Sequence, residues 1–145
     1  RQLGQTFRFV ELANDVNSHM PDYVVRRVQA TLNEAERSVK GSTILIYGLA
    51  YKANTGDARE TPSKPICELL VGLGANVNVV DPHVDDRQFP VGVTRVGGSA
   101  EELRAADLVL FLVDHAEFDQ QAIVDSASSV LDCRHALHGA NVEHL

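Results

Sequence analysis

Residues Ser42–Lys64 read STILIYGLAYKANTGDARETPSK, and three consecutive parts of this stretch set the fold. Thr43–Tyr47 is a run of β-branched and apolar residues closed by Gly48, which predicts a strand and a sharp turn. A loop carrying Lys52 and Arg59 follows, and Thr61-Pro62 then opens a helix. A strand, a glycine turn and a helix N-terminus direct free backbone N–H groups and a helix dipole at one place, which makes an anion site. With a Lys and an Arg in that loop of an acidic chain, a phosphate-bearing ligand is expected.

The same alternation continues downstream. Pro62–Leu73 has the helical period, with Ile66, Leu69, Leu70 and Leu73 expected inward and Gly74 as the stop. Asn76–Val80 predicts a second strand, closed by Asp81-Pro82, and Val91–Val96 a weaker third. Ser99 is placed to cap a short helix over Ala100–Ala105, with Glu101 and Glu102 near its positive end. Asp107–Val113 (DLVLFLV) is continuously apolar, as strands buried on both faces are. A helix over Phe118–Ser126, a last strand over Ser129–Asp132 and a short polar tail complete the pattern. Upstream, roughly Thr6–Val39 reads as helical, with one stripe of Phe9, Leu12, Ala13 and Val16 and another of Val24, Val25, Val28 and Leu32. Pro21 predicts a kink or break between them, with Asn17 or Ser18 as the cap of the second part. The class expected is α/β: a Rossmann-like open parallel sheet with helices on both faces, preceded by a long N-terminal helical segment. Ligands of such sheets sit beyond the carboxyl ends of the strands, and Tyr51, Lys52, Arg59, Asp81, His115 and Arg134 all follow strand ends.

Length and charge narrow the classes. The 145 residues suffice for one buried domain and some extra length. A net charge of -7 argues against a broad nucleic-acid footprint or an anionic membrane surface, so any phosphate binding must be local. No apolar run approaches a membrane span, and a cytoplasmic protein is expected. The two cysteines, Cys67 and Cys133, lack metal-ligand spacing and read as ordinary thiols of a reducing cytosol. Cys133 has Arg134 and His135 beside it, the cationic setting that a reactive thiol needs. The chain opens without an initiator Met, as if part-way through a helix, and a fragment of a longer polypeptide is expected.

The individual candidates carry competing readings. Gly48-Leu49-Ala50-Tyr51-Lys52 supplies one glycine where the dinucleotide fingerprint needs three, so a dinucleotide is not expected to bind here in the usual way. Lys52 and Arg59 serve equally as phosphate ligands or as a solvated loop paired with Asp57 and Glu60. Asp81 suits a ribose hydroxyl, but Asp-Pro at a strand end favours a turn. His115 is a candidate general base, although a capping or hydrogen-bonding role at the start of the next helix is favoured. Arg134, directly after a buried strand, is held rigidly enough to serve as a ligand.

Taken together, GLAYKANTGDARETPS, LGANVNVVDPHV, LVLFLVDHAEF and VLDCR make the chain resemble the UDP-glucose/GDP-mannose dehydrogenase family, in its C-terminal UDP-binding domain. LVDHAEF leans toward the branch that oxidises N-acetylated sugars such as UDP-N-acetylmannosamine, and VN and MPDYVV within Asn14–Val25 look like part of the family's central dimerisation helix. The resemblance implies residues 1–39 as part of that helix and 40–145 as the UDP-sugar-binding domain. It further implies two successive NAD-dependent oxidations of a C6 alcohol to a carboxylate through a cysteine nucleophile. The resemblance places the NAD fingerprint in an N-terminal domain and the nucleophile in a GGSC-type motif near the central helix. Neither motif occurs in this sequence, so neither Cys67 nor Cys133 inherits the nucleophile's role, and the chain alone is expected to be inactive. By the same resemblance Tyr51 and Lys52 contact the nucleotide-sugar, Arg134 anchors it, Arg59 reaches across the cleft to NAD, and the full enzyme is a homodimer. Two other classes stay open: a stand-alone nucleotide-binding or regulatory module, and a dimerisation unit using Arg1–Val39.

Overall fold

A computed structural model describes residues 19–59 and 61–145. The first apolar stripe, the expected cap at Asn17 or Ser18, and Glu60 lie outside the described residues. Helix α1, described over residues 19–34, buries Val24, Val25, Val28 and Leu32 on one face, as their spacing predicts. It does not run on to Val39. Glu36 turns left-handed at φ 60°, while Arg37 N–H donates to the Leu32 carbonyl (2.9 Å) and Glu36 N–H to that of Asn33 (3.0 Å). This double bond pattern closes the helix end.

The remaining elements are β1 (Thr43–Tyr47), α2 (Ser63–Gly72), β2 (Asn76–Val80), β3 (Val93–Arg95), α3 (Ala100–Ala105), β4 (Leu108–Phe111), α4 (Gln120–Ser126), β5 (Val130–Asp132) and β6 (Val142–His144). All six strands pair in parallel in the order β3-β2-β1-β4-β5-β6. The period-2 alternation of the central strands sorts the core into two layers. Ile44, Ile46, Leu108 and Leu110 pack with α1 and α2, while Leu45, Tyr47, Val109 and Phe111 pack with Leu103 of α3 and Ile123 of α4. The expected α/β sheet, covered on both faces, is the observed fold.

Two expectations need correction. Leu69 and Leu73 are 38% and 40% exposed; the inward face of α2 is Ser63, Ile66, Cys67 and Leu70, one step round the helix. Gly74 does end that helix, at φ +91°. The short polar tail holds a further strand. β6 lies parallel to β5, pairing Val130 with Val142 and Asp132 with His144, and Arg27 of α1 holds Glu143 at 2.7 Å. An edge strand buries one side only, so its polar sequence concealed it. Among the described residues, no helix is long and apolar enough to cross a membrane.

The chain winds outward from β1 in one direction and from β4 in the other. The crevice between their carboxyl ends is therefore the switch point of the sheet, where ligands of such folds bind.

Candidate functional site

At the end of β1, Gly48 adopts φ +101°, and a Cβ there would overlap the Val113 side chain just beyond β4. Only glycine lets the two strand-end loops approach so closely. The next two N–H groups, of Leu49 and Ala50, do not wait for a ligand. Both donate to Oδ2 of Asp81, at 2.7 and 3.0 Å, while Oδ1 accepts from the N–H groups of His83 (2.9 Å) and Val84 (3.2 Å). Burial works to raise the Asp81 pKa, but the bonds from Leu49, His115, His83 and Ala50 outweigh it and hold the carboxyl below its ordinary value. The expected backbone anion site is thus filled from within by Asp81. Asp81 makes the turn that Asp-Pro favours, and it also pins the β1 loop.

His115 is buried and bridges the same elements. Its Nε2 lies 2.9 Å from Asp81 Oδ2, and its Nδ1 accepts from the N–H of Asn54 at 2.8 Å. Of the capping or hydrogen-bonding role favoured for this residue, the hydrogen bonding is observed, with partners in the β1 loop and just after β2, whereas the cap of α4 is Asp119. Asn54 stands at φ 62°, a conformation asparagine tolerates, and its own Oδ1 accepts from the Ala116 N–H at 2.8 Å. Tyr51 and Lys52 lie between these two attachments.

A cleft of about 140 Å³ opens at the switch point, lined by Met20 and Val24 of α1 together with Tyr51, Val113, Cys133, Arg134 and Leu145. Tyr51 is 58% exposed and offers a ring face there. Arg134 is set by Asp132, a second buried strand-end carboxylate: Oδ1 accepts the Arg134 N–H (2.8 Å) and Oδ2 those of Ala136 (2.8 Å) and Leu137 (2.7 Å). The structure therefore brings Tyr51 and Arg134 together. It leaves Lys52 and Arg59 exposed outside the cleft, with the Arg59 guanidinium on the Asp57 carboxylate at 3.1 and 3.2 Å. The Arg59 hydrogen bonds hold the Asp57 carboxyl below its ordinary value.

A family model for the "UDP-glucose/GDP-mannose dehydrogenase family, UDP binding domain" matches residues 45–139. The chain belongs to this family. Among curated relatives, a UDP-N-acetyl-D-mannosamine dehydrogenase of Methanococcus maripaludis is 33% identical over 111 residues, 77% of this chain and 24% of the relative. The enzyme of the same name from Escherichia coli K12 is 30% identical over 141 residues, 86% of this chain and 33% of the relative. The crystal structure of an NDP-N-acetyl-D-galactosaminuronic acid dehydrogenase from Methanosarcina mazei superposes with a TM-score of 0.76 at 27% identity, covering 92% of this chain and 30% of that one. The chain thus spans about a quarter to a third of the length of the curated relatives it matches.

Within this UDP-binding domain the cysteines are held as thiols. Burial, then the Asp132 charge, pushes Cys133 up to about 12, and burial, then Glu68, does the same to Cys67. The opposing pull of Arg27 and Arg134 on Cys133 is outweighed. Three contributors to the domain's site were not singled out from the sequence. Asn54 carries a signal, since Asn-Thr-Gly marks a turn with a left-handed residue. Met20 and Leu145 carry none, because only the tertiary fold places them beside Tyr51.

Proposed function

We propose that this chain is the substrate-nucleotide-binding domain of an NAD-dependent nucleotide-sugar 6-dehydrogenase, of the UDP-N-acetylmannosamine or UDP-glucose type, which oxidises a C6 alcohol to a carboxylate. The observation that carries this reading is the convergence of Tyr51 and Arg134 on one cleft at the sheet's switch point, within the UDP binding domain of the family. Tyr51 supplies a packing face, Arg134 an anchor for an anionic or carbonyl oxygen, and Lys52 charge from the adjoining loop. The backbone at the β1 turn does not fit a cofactor pyrophosphate, since Asp81 occupies its N–H groups. NAD is accordingly assigned to a separate N-terminal domain of the same polypeptide, with Arg59 on the exposed loop meeting it when the domains close. No redox step is assigned to residues of this chain, which alone is inactive. Residues 1–39 are read as part of a central interdomain helix through which a cytoplasmic homodimer forms, and 40–145 as the UDP-sugar domain.

Calorimetry of the 145-residue chain with UDP and with NAD tests the assignment. UDP should bind more tightly than NAD, and Lys52→Ala or Arg134→Ala should each weaken UDP about tenfold, the scale of a charge-assisted hydrogen bond. Tighter binding of NAD than of UDP would overturn it.

A further inference from the structure

His115 takes no part in lining the cleft, yet each of its ring nitrogens has one partner, and the pair of partners fixes its state. A backbone N–H only donates, so the Asn54 N–H at 2.8 Å requires a lone pair on Nδ1. The ring proton then sits on Nε2, 2.9 Å from the Asp81 carboxylate. His115 is therefore the neutral Nε2–H tautomer. A proton on Nδ1 would set two donors against each other and release Asn54.

The consequence reaches the cleft through the chain. Asp81 fastens the β1 loop at Leu49 and Ala50, and His115 fastens it again at Asn54. Tyr51 and Lys52 occupy the span between. Both fastenings lead to one buried pair, so the two ends of the span that carries the Tyr51 ring are tied to Asp81 and His115.

We propose that His115 is a positioning residue, which holds the Tyr51–Lys52 span in its nucleotide-binding place only while its ring is uncharged. This rests on the nucleotide reading of the cleft given above. The groups facing the ring are the Asp81 carboxylate at Nε2, the His83 ring at 4.6 Å and the Phe118 ring at 5.2 Å. Glu117 stands behind His83 at 2.8 Å, and Asp114, the neighbour in sequence, faces Arg134 at 3.7 Å. A His83 variant separates the effect of the neighbouring His83–Glu117 pair.

The two amide isosteres divide the ring's functions. His115→Asn places a carbonyl oxygen near the Nδ1 position and keeps an acceptor for Asn54 that takes no proton. His115→Gln reaches toward the Nε2 position and keeps only a donor for Asp81. UDP-glucose is the probe, because its diphosphate diester gains no proton in the imidazole range. Calorimetry from about pH 8 down to about pH 5 should show the wild-type chain losing affinity about tenfold, the scale of one lost hydrogen bond. His83→Asn should follow the wild type, His115→Asn should be flat, and His115→Gln should be weak throughout. An acid loss in His115→Asn equal to that of the wild type, or no acid loss in the wild type, would overturn the proposal.

A second readout needs no ligand. Ring ¹⁵N spectra of the wild type should show the Nε2–H tautomer, and the Asn54 amide should shift and lose exchange protection in step with protonation of Nδ1. A ring in the Nδ1–H form, or an Asn54 amide indifferent to its protonation, overturns the proposal even where no nucleotide binds. Absence of UDP-glucose binding at every pH, with that response intact, overturns the nucleotide reading instead.

Discussion

The Asp81 carboxylate and the His115 imidazole meet at 2.9 Å with neither side chain exposed to solvent. The N–H groups of Leu49, Ala50, His83 and Val84 converge on the same carboxylate. Removing it strands these donors in a buried place, where each unsatisfied group is costly. Asp81→Ala is expected to destabilise the fold by about 3–5 kcal/mol and Asp81→Asn by about 1–3 kcal/mol, since the amide keeps one acceptor oxygen. Urea unfolding measures both, and a loss under about 1 kcal/mol for Asp81→Ala would show that the knot contributes little.

The same carboxylate sets a direction for acid stability. Its folded pKa lies below the unfolded value of 3.8, so its contribution is complete above that value. It is lost as pH falls through the interval between the unfolded and the folded pKa, as the unfolded chain takes up the proton first. Stability of the wild type should therefore fall with pH below about 4, more steeply than that of Asp81→Asn, which has no proton to gain at this site. Equal slopes in acid unfolding would contradict the role given to Asp81.

Gly48 combines two constraints that a second glycine separates. At φ +101° any side chain is strained, and at Gly48 it would also strike Val113; Gly41, at φ +85°, has open space within 4 Å of the place a methyl group would take. Gly41→Ala should cost about 1–2 kcal/mol, the backbone term alone. Gly48→Ala should cost about 2–5 kcal/mol, because overpacking adds about 1–3 kcal/mol. Thermal unfolding of the two variants compares them directly, and similar losses would mean that the β1 and β4 loops part without cost.

Much of this architecture is legible locally. Ser99, read as the cap of α3, accepts from the Glu102 N–H, and the Glu102 side chain reaches back to complete a capping box. The apolar runs at Thr43–Tyr47 and Asn76–Val80 become strands with those bounds, because β-branched residues between turn signals have few alternatives. What was not legible depends on distant partners. The end of α1 at Glu36 carries no glycine, and β6 needs Arg27, more than a hundred residues upstream, to hold its Glu143. At the site, the lone glycine of the turn spoke against a dinucleotide cradle, but the reason the turn is closed to anions is Asp81, 31 residues beyond Ala50.

The thiols supply a prediction about reactivity. With both cysteines pushed up to about 12, the thiolate population near pH 8 is reduced on the order of a thousandfold from that of a free cysteine. Iodoacetamide should modify Cys133 slowly and Cys67 only on unfolding, and the Cys133 rate should climb with pH throughout the alkaline range. Because Cys133 lines the cleft beside Tyr51 and Arg134, UDP should slow its modification further. Rapid alkylation of Cys133 at pH 8 would overturn this account of its environment.

Glu143 links α1 to the edge of the cleft. Its carboxylate receives Arg27 Nη2 at 2.7 Å and the Thr31 hydroxyl at 3.0 Å, while Leu145, two residues on, donates its N–H to the Asp132 carbonyl and lines the cleft. The ion pair is partly exposed, which limits its contribution to about 1 kcal/mol and makes it sensitive to salt. Glu143→Ala should leave global unfolding nearly unchanged but speed exchange of the Leu145 amide about fivefold, the ratio that about 1 kcal/mol of local stability implies. High salt should bring the wild type part of the way toward the variant, whereas Glu143→Gln, which keeps an acceptor for Thr31, should fall between the two. If Leu145 exchanges equally slowly in all three, β6 is held by its ladder to β5 alone, and α1 exerts no hold on that wall of the cleft.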